Sequence, residues 1–287
     1  MPYTETADGL PLHYLDEGPR TSSAIFLIHG EPCSSAFWRR NIPELSRHFR
    51  VVAMDVRGRG ESGKTGDAHT IAQYARDFRH VLEALALRHV VAVGWSMGSS
   101  IVWNYIQQFS QDRLAGYVNV DQRAYRFVSE EHLQEQMTAM RTRRLSFHRE
   151  GMRRYLGPEA HEDEEVVNWM TYECMKTPTE AHCAAFAESY RSDYRPFLAQ
   201  VRLPARIFTA RYGLIAPDTA VSMVESMPSA RLVFFEHSGH LLHWTEPDKF
   251  NSEVLAFTRE VLGRGSPSPP PRGAWSFTTR RPTRTSR

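Results

Sequence analysis

Short apolar runs alternate with longer amphipathic stretches along most of the chain. Six runs rich in apolar and β-branched residues predict strands, at residues 24–29, 51–55, 90–94, 117–121, 206–210 and 232–236. Most of these runs are apolar at nearly every position. That pattern is typical of parallel strands that are covered on both faces, because neither face can then be polar.

The stretches between the predicted strands have helical spacing. Apolar residues recur every three or four positions in two segments, namely Ile71, Tyr74, Ala75, Phe78, Leu82 and Leu85, then Phe250, Val254, Phe257 and Val261. Each set forms one apolar face of a helix. Strands and helices that alternate in this way predict an α/β fold in which a mostly parallel, doubly wound sheet is covered by helices.

One interval breaks the alternation. Residues 122–200 contain no convincing strand and indicate helices at about 128–145, 147–156, 163–176 and 179–191. Ligands of open α/β sheets bind beyond the carboxyl ends of the strands. The interval is therefore expected to form a helical cap over that edge, between a first core segment (1–121) and a second (201–263).

The C-terminal segment, residues 264–287, has a different composition. It is rich in Ser, Pro and Thr, holds six arginines and no acid, and has no apolar periodicity. We expect a disordered basic tail. The tail carries more than the whole formal net charge of +2, so residues 1–263 are net acidic. Basicity therefore does not indicate that the main domain binds nucleic acid.

Composition excludes several classes. The 287 residues are 41% hydrophobic, yet no apolar run reaches the roughly 18 residues of a membrane span, so no membrane partner is expected. The first twenty residues lack a basic start followed by an apolar run, which favours a cytoplasmic location over secretion. Cys33, Cys174 and Cys183 are too few for a disulfide framework and have no zinc spacing, so neither a metal nor a cofactor is expected.

The strongest chemical signal is the sequence Gly94-Trp95-Ser96-Met97-Gly98. It follows a predicted strand directly and opens a predicted helix. Glycines on both sides allow strand and helix to approach closely, so the turn can present the serine oxygen above the sheet. Ser96 is therefore the candidate nucleophile.

Two further segments supply what such a nucleophile needs. An acyl-transfer site requires backbone N–H groups at the oxyanion. Met97 follows the serine, and Glu31 lies in the His29-Gly30-Glu31-Pro32 loop after a strand, where Pro32 cannot donate. Glu31 and Met97 are thus the predicted oxyanion donors.

A general base is also needed, and His240, in Ser238-Gly239-His240 after the last predicted strand, is favoured because histidine suits proton transfer near neutral pH. His237 and His243 are close enough in sequence to compete with it.

Taken together, these motifs resemble the α/β-hydrolase superfamily, in the group of esterases, haloalkane dehalogenases and cofactor-free haloperoxidases. The resemblance covers residues 3–262. It also includes Asp8-Gly9, residues 55–62 (DVRGRGES) and Glu246-Pro247, all in the family's order and spacing. It implies catalysis by an elbow nucleophile, an acid and a final histidine. Dehalogenases carry aspartate at the elbow, so Ser96 favours carbonyl chemistry over halide displacement.

The acid departs from the commonest family pattern. Many relatives place an aspartate four residues before a proline, but counting back from Pro217 gives Gly213. An alternative in some relatives is an acid at the end of the preceding strand, which here is Asp121. Asp121 is favoured, Asp218 is a second candidate, and the absence of a functional acid is a third reading. The acid must accept the second imidazole N–H, which constrains geometry and not chain order.

The predicted function is that of a cofactor-independent serine hydrolase that cleaves an ester, lactone or thioester through an acyl-enzyme. An aromatic and Met-rich cap suggests a medium-sized, mostly apolar small molecule as its substrate, in a pocket lined by Trp95, Trp38, Tyr125 and Trp169. The protein is expected to be a monomer or homodimer. The alternatives are a non-hydrolytic enzyme of this fold (haloperoxidase, perhydrolase, lyase or cyclase) and a slow small-molecule-binding protein.

Overall fold

The computed structural model describes residues 2–125, 128–160 and 164–263. The predicted basic tail (264–287) lies outside the described residues, as does the first residue of the predicted helix 163–176. Within the described residues the chain alternates strands and helices as the sequence indicates.

The described residues form one eight-stranded sheet. Its strands, in chain order, are β1 (Tyr3–Glu5), β2 (Pro11–Glu17), β3 (Ala24–Ile28), β4 (Arg50–Met54), β5 (Val90–Trp95), β6 (Leu114–Val120), β7 (Ala205–Tyr212) and β8 (Ala230–Gly239). The order across the sheet is β1-β2-β4-β3-β5-β6-β7-β8. The first two strands are antiparallel to their neighbours and the remaining pairs are parallel.

Helices cover both faces of this sheet. They are α1 (Ile42–Leu45), α2 (Ile71–Ala84), α3 (Met97–Phe109), α4 (Glu130–Thr142), α5 (Arg144–Leu156), α6 (Glu164–Met175), α7 (Thr179–Arg191), α8 (Arg195–Leu198), α9 (Pro217–Ser226), α10 (Leu242–Thr245) and α11 (Pro247–Leu262), with a short 3-10 helix at Ser35–Trp38. This architecture confirms the predicted α/β class.

The continuous apolar strands give the sheet two hydrophobic cores. Successive side chains of a strand point to opposite faces. Accordingly Phe26 and Ile28 pack into the core beneath α2 and α3. Ile25 and Leu27 pack into the core of the other face, which includes residues of α11. Every residue of β3 is buried, so the sheet is a rigid platform for the loops at its carboxyl edge.

Between β6 and β7 the chain forms α4 to α8, and no named strand occurs among the described residues of this interval. We call α4 to α7 the helical insertion. Its helices agree with the predicted ones to within three residues at each end. A single isolated bridge, Tyr125 to Asp193, joins the two ends of the interval.

No helix among the described residues is long and apolar enough to cross a membrane. The same residues contain no group of three or more His, Cys, Asp or Glu side chains arranged to hold a metal ion.

Candidate active site

Ser96 lies on a sharp turn between β5 and α3. Its φ angle is +52°, a left-handed value that a serine adopts only when its surroundings enforce it. Its N–H donates to the Val120 carbonyl at 3.0 Å, which ties the turn to the neighbouring strand. A Cβ on Gly98 would stand 2.2 Å from the Ile28 carbonyl oxygen, and one on Gly94 would stand 2.5 Å from the backbone of Gly98. Both glycines are therefore required for the turn to close.

His240 and Asp121 meet above the sheet. His240 Nδ1 lies 2.7 Å from Asp121 Oδ2, and both side chains are almost completely buried. The Trp95 indole N–H donates to the His240 carbonyl at 2.9 Å, and the Tyr155 ring stands edge-on to the imidazole with centroids 4.9 Å apart. These contacts fix the ring in a single orientation beside the strand that leads to Ser96.

The Asp121 carboxylate is held from its other side by the loop after β7. It accepts the backbone N–H groups of Leu214 at 2.6 Å and of Ile215 at 3.2 Å. A Cβ on Gly213 would lie 2.6 and 2.7 Å from the two carboxylate oxygens. The position where many relatives carry their acid thus directly faces the Asp121 carboxylate, and only glycine leaves room for it.

The other candidates for the acid and the general base do not contact the Asp121–His240 pair through a hydrogen bond. Asp218 is exposed in the first turn of α9, and Asp121 is the residue that contacts His240. His237 is exposed, with Nδ1 2.7 Å from Glu159. His243 is buried in the core and neither of its ring nitrogens has a partner. Burial lowers the pKa of His243 well below its usual value, which keeps it neutral.

The loop after β3 lies against the serine. A Cβ on Gly30 would be 3.0 Å from Ser96 Cβ, so the backbone of Gly30 and Glu31 runs beside the turn. His29 accepts the Val56 N–H at Nε2 (3.0 Å), which leaves Nδ1–H to donate to the Gly30 carbonyl at 2.9 Å. Burial lowers the pKa of His29 to about 4, so it stays in this neutral form. We call this loop, residues 29–34, the Gly30 loop.

An ion pair and the helical insertion support the Gly30 loop. Glu31 pairs with Arg59, whose Nη2 lies 2.7 Å from Oε2 and whose side chain is completely buried. From the insertion, Thr177 Oγ1 donates to the Pro32 carbonyl at 2.8 Å. The Sγ atoms of Cys33 and Cys174 lie 3.8 Å apart. The loop that faces Ser96 is therefore clamped between the core and α6.

Loss of the Glu31 carboxylate should destabilise the fold strongly. In Glu31→Ala the buried Arg59 guanidinium would lose its only carboxylate partner among the described residues. We expect the free energy of unfolding to fall by about 3–5 kcal/mol, as is usual when one member of a buried pair is removed. Urea unfolding followed by circular dichroism measures it.

The matched control is Glu180→Ala, which breaks the exposed pair with Arg141 and should cost about 1 kcal/mol or less. Equal losses in the two variants would contradict the supporting role of the Glu31 pair.

A cavity of about 250 Å³ separates the insertion from the site. Glu31, Tyr155 and Leu214 line it at the end near His240 and Asp121. Apart from Pro32 of the Gly30 loop, the remaining lining residues come from the insertion and include His148, His182, Phe147, Phe186 and Tyr190. The cavity thus lies next to two residues that contact the acid–histidine pair, Tyr155 at His240 and Leu214 at Asp121.

The four aromatic residues predicted to line the pocket do not line this cavity, so that prediction is corrected. Trp38 is fully buried and packs on His243 and Phe250. Trp95 is buried beneath the site. Trp169 stacks on Trp244, and Tyr125 lines a separate depression with Arg195. The type of residue alone does not show which aromatic side chains are buried by the sheet and α11.

Sequence reasoning missed several residues of the site. Tyr155, His148 and His182 lie on insertion helices whose packing partners follow only from the three-dimensional arrangement. Arg59 had a usable signal, because it belongs to the DVRGRGES segment at residues 55–62. Asp55 of the same segment accepts the Ser35 N–H at 2.6 Å and so braces the end of the Gly30 loop.

Residues 23–157 match the family model described as alpha/beta hydrolase fold. The chain is 29% identical over 278 residues to a protein of Acinetobacter calcoaceticus named bifunctional esterase/perhydrolase DCH, and the match covers 90% of this chain and all of that one. It is 26% identical to a non-heme chloroperoxidase of Streptomyces lividans, over 88% of this chain and 98% of that one.

Among solved structures, an esterase from Exiguobacterium antarcticum superimposes with a TM-score of 0.83 at 18% identity, over 90% of this chain and 98% of that one. At this identity the likeness concerns the fold alone. It confirms the hydrolase-type α/β fold predicted from the sequence.

Proposed function

Since the chain belongs to the α/β-hydrolase superfamily, we propose that it is a serine hydrolase that cleaves a carboxylic ester, lactone or thioester through an acyl-enzyme. The observation that carries the proposal is the buried hydrogen bond between His240 Nδ1 and Asp121 Oδ2, 2.7 Å long, in a histidine whose carbonyl accepts the indole N–H of Trp95, the residue before Ser96. A histidine oriented by a carboxylate next to a serine nucleophile is the arrangement that acyl transfer requires.

In the proposed mechanism Asp121 fixes the tautomer of His240. With Nδ1–H donated to the carboxylate, Nε2 carries the lone pair and can accept the Ser96 proton as Oγ attacks the carbonyl carbon. The imidazolium then protonates the leaving alcohol or thiol. Water, deprotonated by the same imidazole, attacks the acyl-enzyme, and the acid product leaves with Ser96 restored.

The backbone N–H groups of Met97 and Glu31 are the proposed oxyanion donors. Met97 begins α3, so its N–H lies at the positive end of the helix dipole. Glu31 follows Gly30, whose backbone lies against Ser96. The clamps on the Gly30 loop hold its backbone in place before substrate binds, which is what makes such donors effective.

Labelling with a fluorophosphonate probe and mass spectrometry of the modified peptide tests the proposal. Wild type should be labelled at Ser96, and the labelling rate should fall in Asp121→Asn. Ser226→Ala, at an exposed serine of α9, is the matched control and should label like wild type. A folded wild-type protein that neither labels at Ser96 nor hydrolyses any ester, lactone or thioester of a substrate panel would overturn it.

A second candidate activity follows from the names of two relatives, an esterase/perhydrolase and a non-heme chloroperoxidase. In this reaction hydrogen peroxide replaces water in the attack on the acyl-enzyme. One O–H proton of the peroxide passes to His240 as the acyl carbon gains the O–O group. The bond between the acyl carbon and Ser96 Oγ then breaks, Oγ takes the proton back from His240, and a peroxycarboxylic acid leaves. Bromination of a dimedone reporter in acetate buffer with peroxide and bromide detects it, and a Ser96→Ala variant should abolish it.

A further inference from the structure

Two buried histidines of the helical insertion have no role in the mechanism above. His148 lies on α5 and His182 on α7, and their rings stack with centroids 5.2 Å apart and an interplanar angle of 24°. They are only 3% and 4% exposed. Both line the same cavity as Tyr155 and Leu214, which contact His240 and Asp121 respectively.

The ring nitrogens of this pair make no hydrogen bond to any described residue, although nearly all of each side chain is buried. Buried polar groups are normally hydrogen-bonded, because an unpaired one has lost its hydrogen bonds to water without gaining any from the protein. The pair also differs from His243, whose nitrogens are sealed in the core. His148 and His182 instead face a cavity large enough to hold part of a substrate.

The charge around the pair is positive. Arg144, one turn before His148 on α5, donates to the carbonyl oxygens of Met175 and Thr177 and has no carboxylate partner among the described residues. Arg154 lines the cavity at its exposed side and likewise has no ion pair there. Glu31 is the one acidic side chain that lines the cavity, and Arg59 already neutralises it.

This environment selects the protonation state of the histidines. Burial, with Arg144 next, lowers the pKa of His148 to about 4. Burial, the neighbouring His148 and the cations Arg59 and Arg144 lower the pKa of His182 well below its usual value. Each ring is therefore neutral and offers one N–H donor. Because the charged groups near the rings are cations, an anion is the ligand that this environment would favour.

From these contacts we propose that His148 and His182 bind a carboxylate at the far end of the substrate, so that the preferred substrates are esters or lactones whose acyl chain ends in a second carboxylate. The inference rests on the proposed function, because it places the scissile carbonyl at Ser96. Arg154 would add long-range attraction at the cavity entrance.

The spacing along α5 sets the length of such a substrate. Tyr155 contacts His240, and His148 is seven residues earlier, so the two ends of the cavity are about 10 Å apart along the helix. A chain of intermediate length should bridge this distance best. Succinate monoesters should therefore be poorer substrates than longer dicarboxylate monoesters.

The test is a set of mono-(4-nitrophenyl) esters of dicarboxylic acids from succinate to azelate. Each is compared with the 4-nitrophenyl ester of the fatty acid of equal chain length. Wild type should favour the carboxylate ester in kcat/KM by at least about tenfold at the best length, as expected where a site hydrogen-bonds a substrate group.

His148→Phe and His182→Phe keep the stacking but remove the donors. Each should lower kcat/KM for the carboxylate ester by about 10- to 100-fold and leave the fatty-acid ester within about threefold of wild type. His148→Asn retains a donor and should recover part of the preference. His48→Phe, at a half-exposed histidine near Glu44 and outside this cavity, is the matched control and should change neither ester.

Two results would overturn the carboxylate site. One is a wild type that hydrolyses both esters equally well. The other is a pair of Phe variants that lose activity on both esters to the same extent. In either case hydrolysis at Ser96 would stand without it.

Binding to Ser96→Ala provides a readout that does not need turnover. Titration calorimetry should give tighter binding of monomethyl suberate than of methyl octanoate, and His182→Phe in the same background should remove the difference. Equal affinities would reject the carboxylate site even in a protein that proved not to be a hydrolase.

Discussion

Replacement of Ser96 by alanine should lower kcat/KM for an ester substrate by about 10⁴-fold or more, because the variant lacks the oxygen of the proposed nucleophile. The loss should appear in kcat, with KM nearly unchanged, since Ser96 does not line the cavity proposed to hold the acyl group. Steady-state hydrolysis of a 4-nitrophenyl ester, followed at a saturating and a low substrate concentration, separates the two parameters.

The strained backbone at Ser96 supplies an internal check. Alanine at a φ of +52° meets the same steric conflict as serine, so Ser96→Ala should unfold at about the same urea concentration as wild type. A folded Ser96→Ala protein that keeps more than a tenth of the wild-type rate would exclude a serine acyl-enzyme.

Removing the charge of Asp121 should have an effect of similar size. In Asp121→Asn the side chain cannot stabilise the imidazolium and can hold His240 in the wrong tautomer, which costs about 10⁴-fold in the serine proteases. Hydrolysis should therefore fall by about that factor at neutral pH. Asp218→Asn, at the exposed aspartate of α9, is the matched control and should remain within about twofold of wild type.

The geometry around Gly213 allows a stricter version of this experiment. Gly213→Asp alone should be inactive or poorly folded, because its Cβ would stand 2.6 Å from an Asp121 oxygen. The double variant, which combines Asp121→Gly with Gly213→Asp, lacks the Asp121 carboxylate and therefore avoids this clash. The backbone of Gly213 is outside the left-handed region, so aspartate is sterically acceptable there, and glycine suits the φ of +52° at position 121.

The double variant should be at least about tenfold more active than either Asp121→Gly or Gly213→Asp, which is the strong coupling expected for residues in direct contact. If the effects of the two substitutions are simply additive, the view that the two positions share one function is wrong.

The strands of the core could be predicted from the sequence because parallel strands buried on both faces are apolar at nearly every position. Strands β3 to β8 lie where the apolar runs predicted them, with boundaries displaced by at most three residues. Strands β1 and β2 gave no comparable run. They lie at the antiparallel edge, where polar residues such as Glu5 and His13 interrupt the apolar pattern.

The candidate site was predictable where chemistry depends on a local turn. Ser96 stands at the elbow, whereas the contact that favours Asp121 over Asp218 joins Asp121 to His240, which are 119 residues apart in the sequence. The substrate pocket was not predictable. In the sequence, nothing distinguishes an aromatic residue of the core, such as Trp38, from one that lines a pocket. The two histidines that line the cavity come together only because α5 packs near α7.

The close approach of Gly213 to the Asp121 carboxylate has a consequence for how such proteins can diverge. A protein with an acid at both positions would have to move the Asp121 carboxylate from its present place, since a Cβ at position 213 would stand 2.6 Å from one of its oxygens. A lineage with an acid at neither position would lose most of its turnover. A change from one arrangement to the other is therefore expected to pass through a less active protein, whichever of the two substitutions comes first.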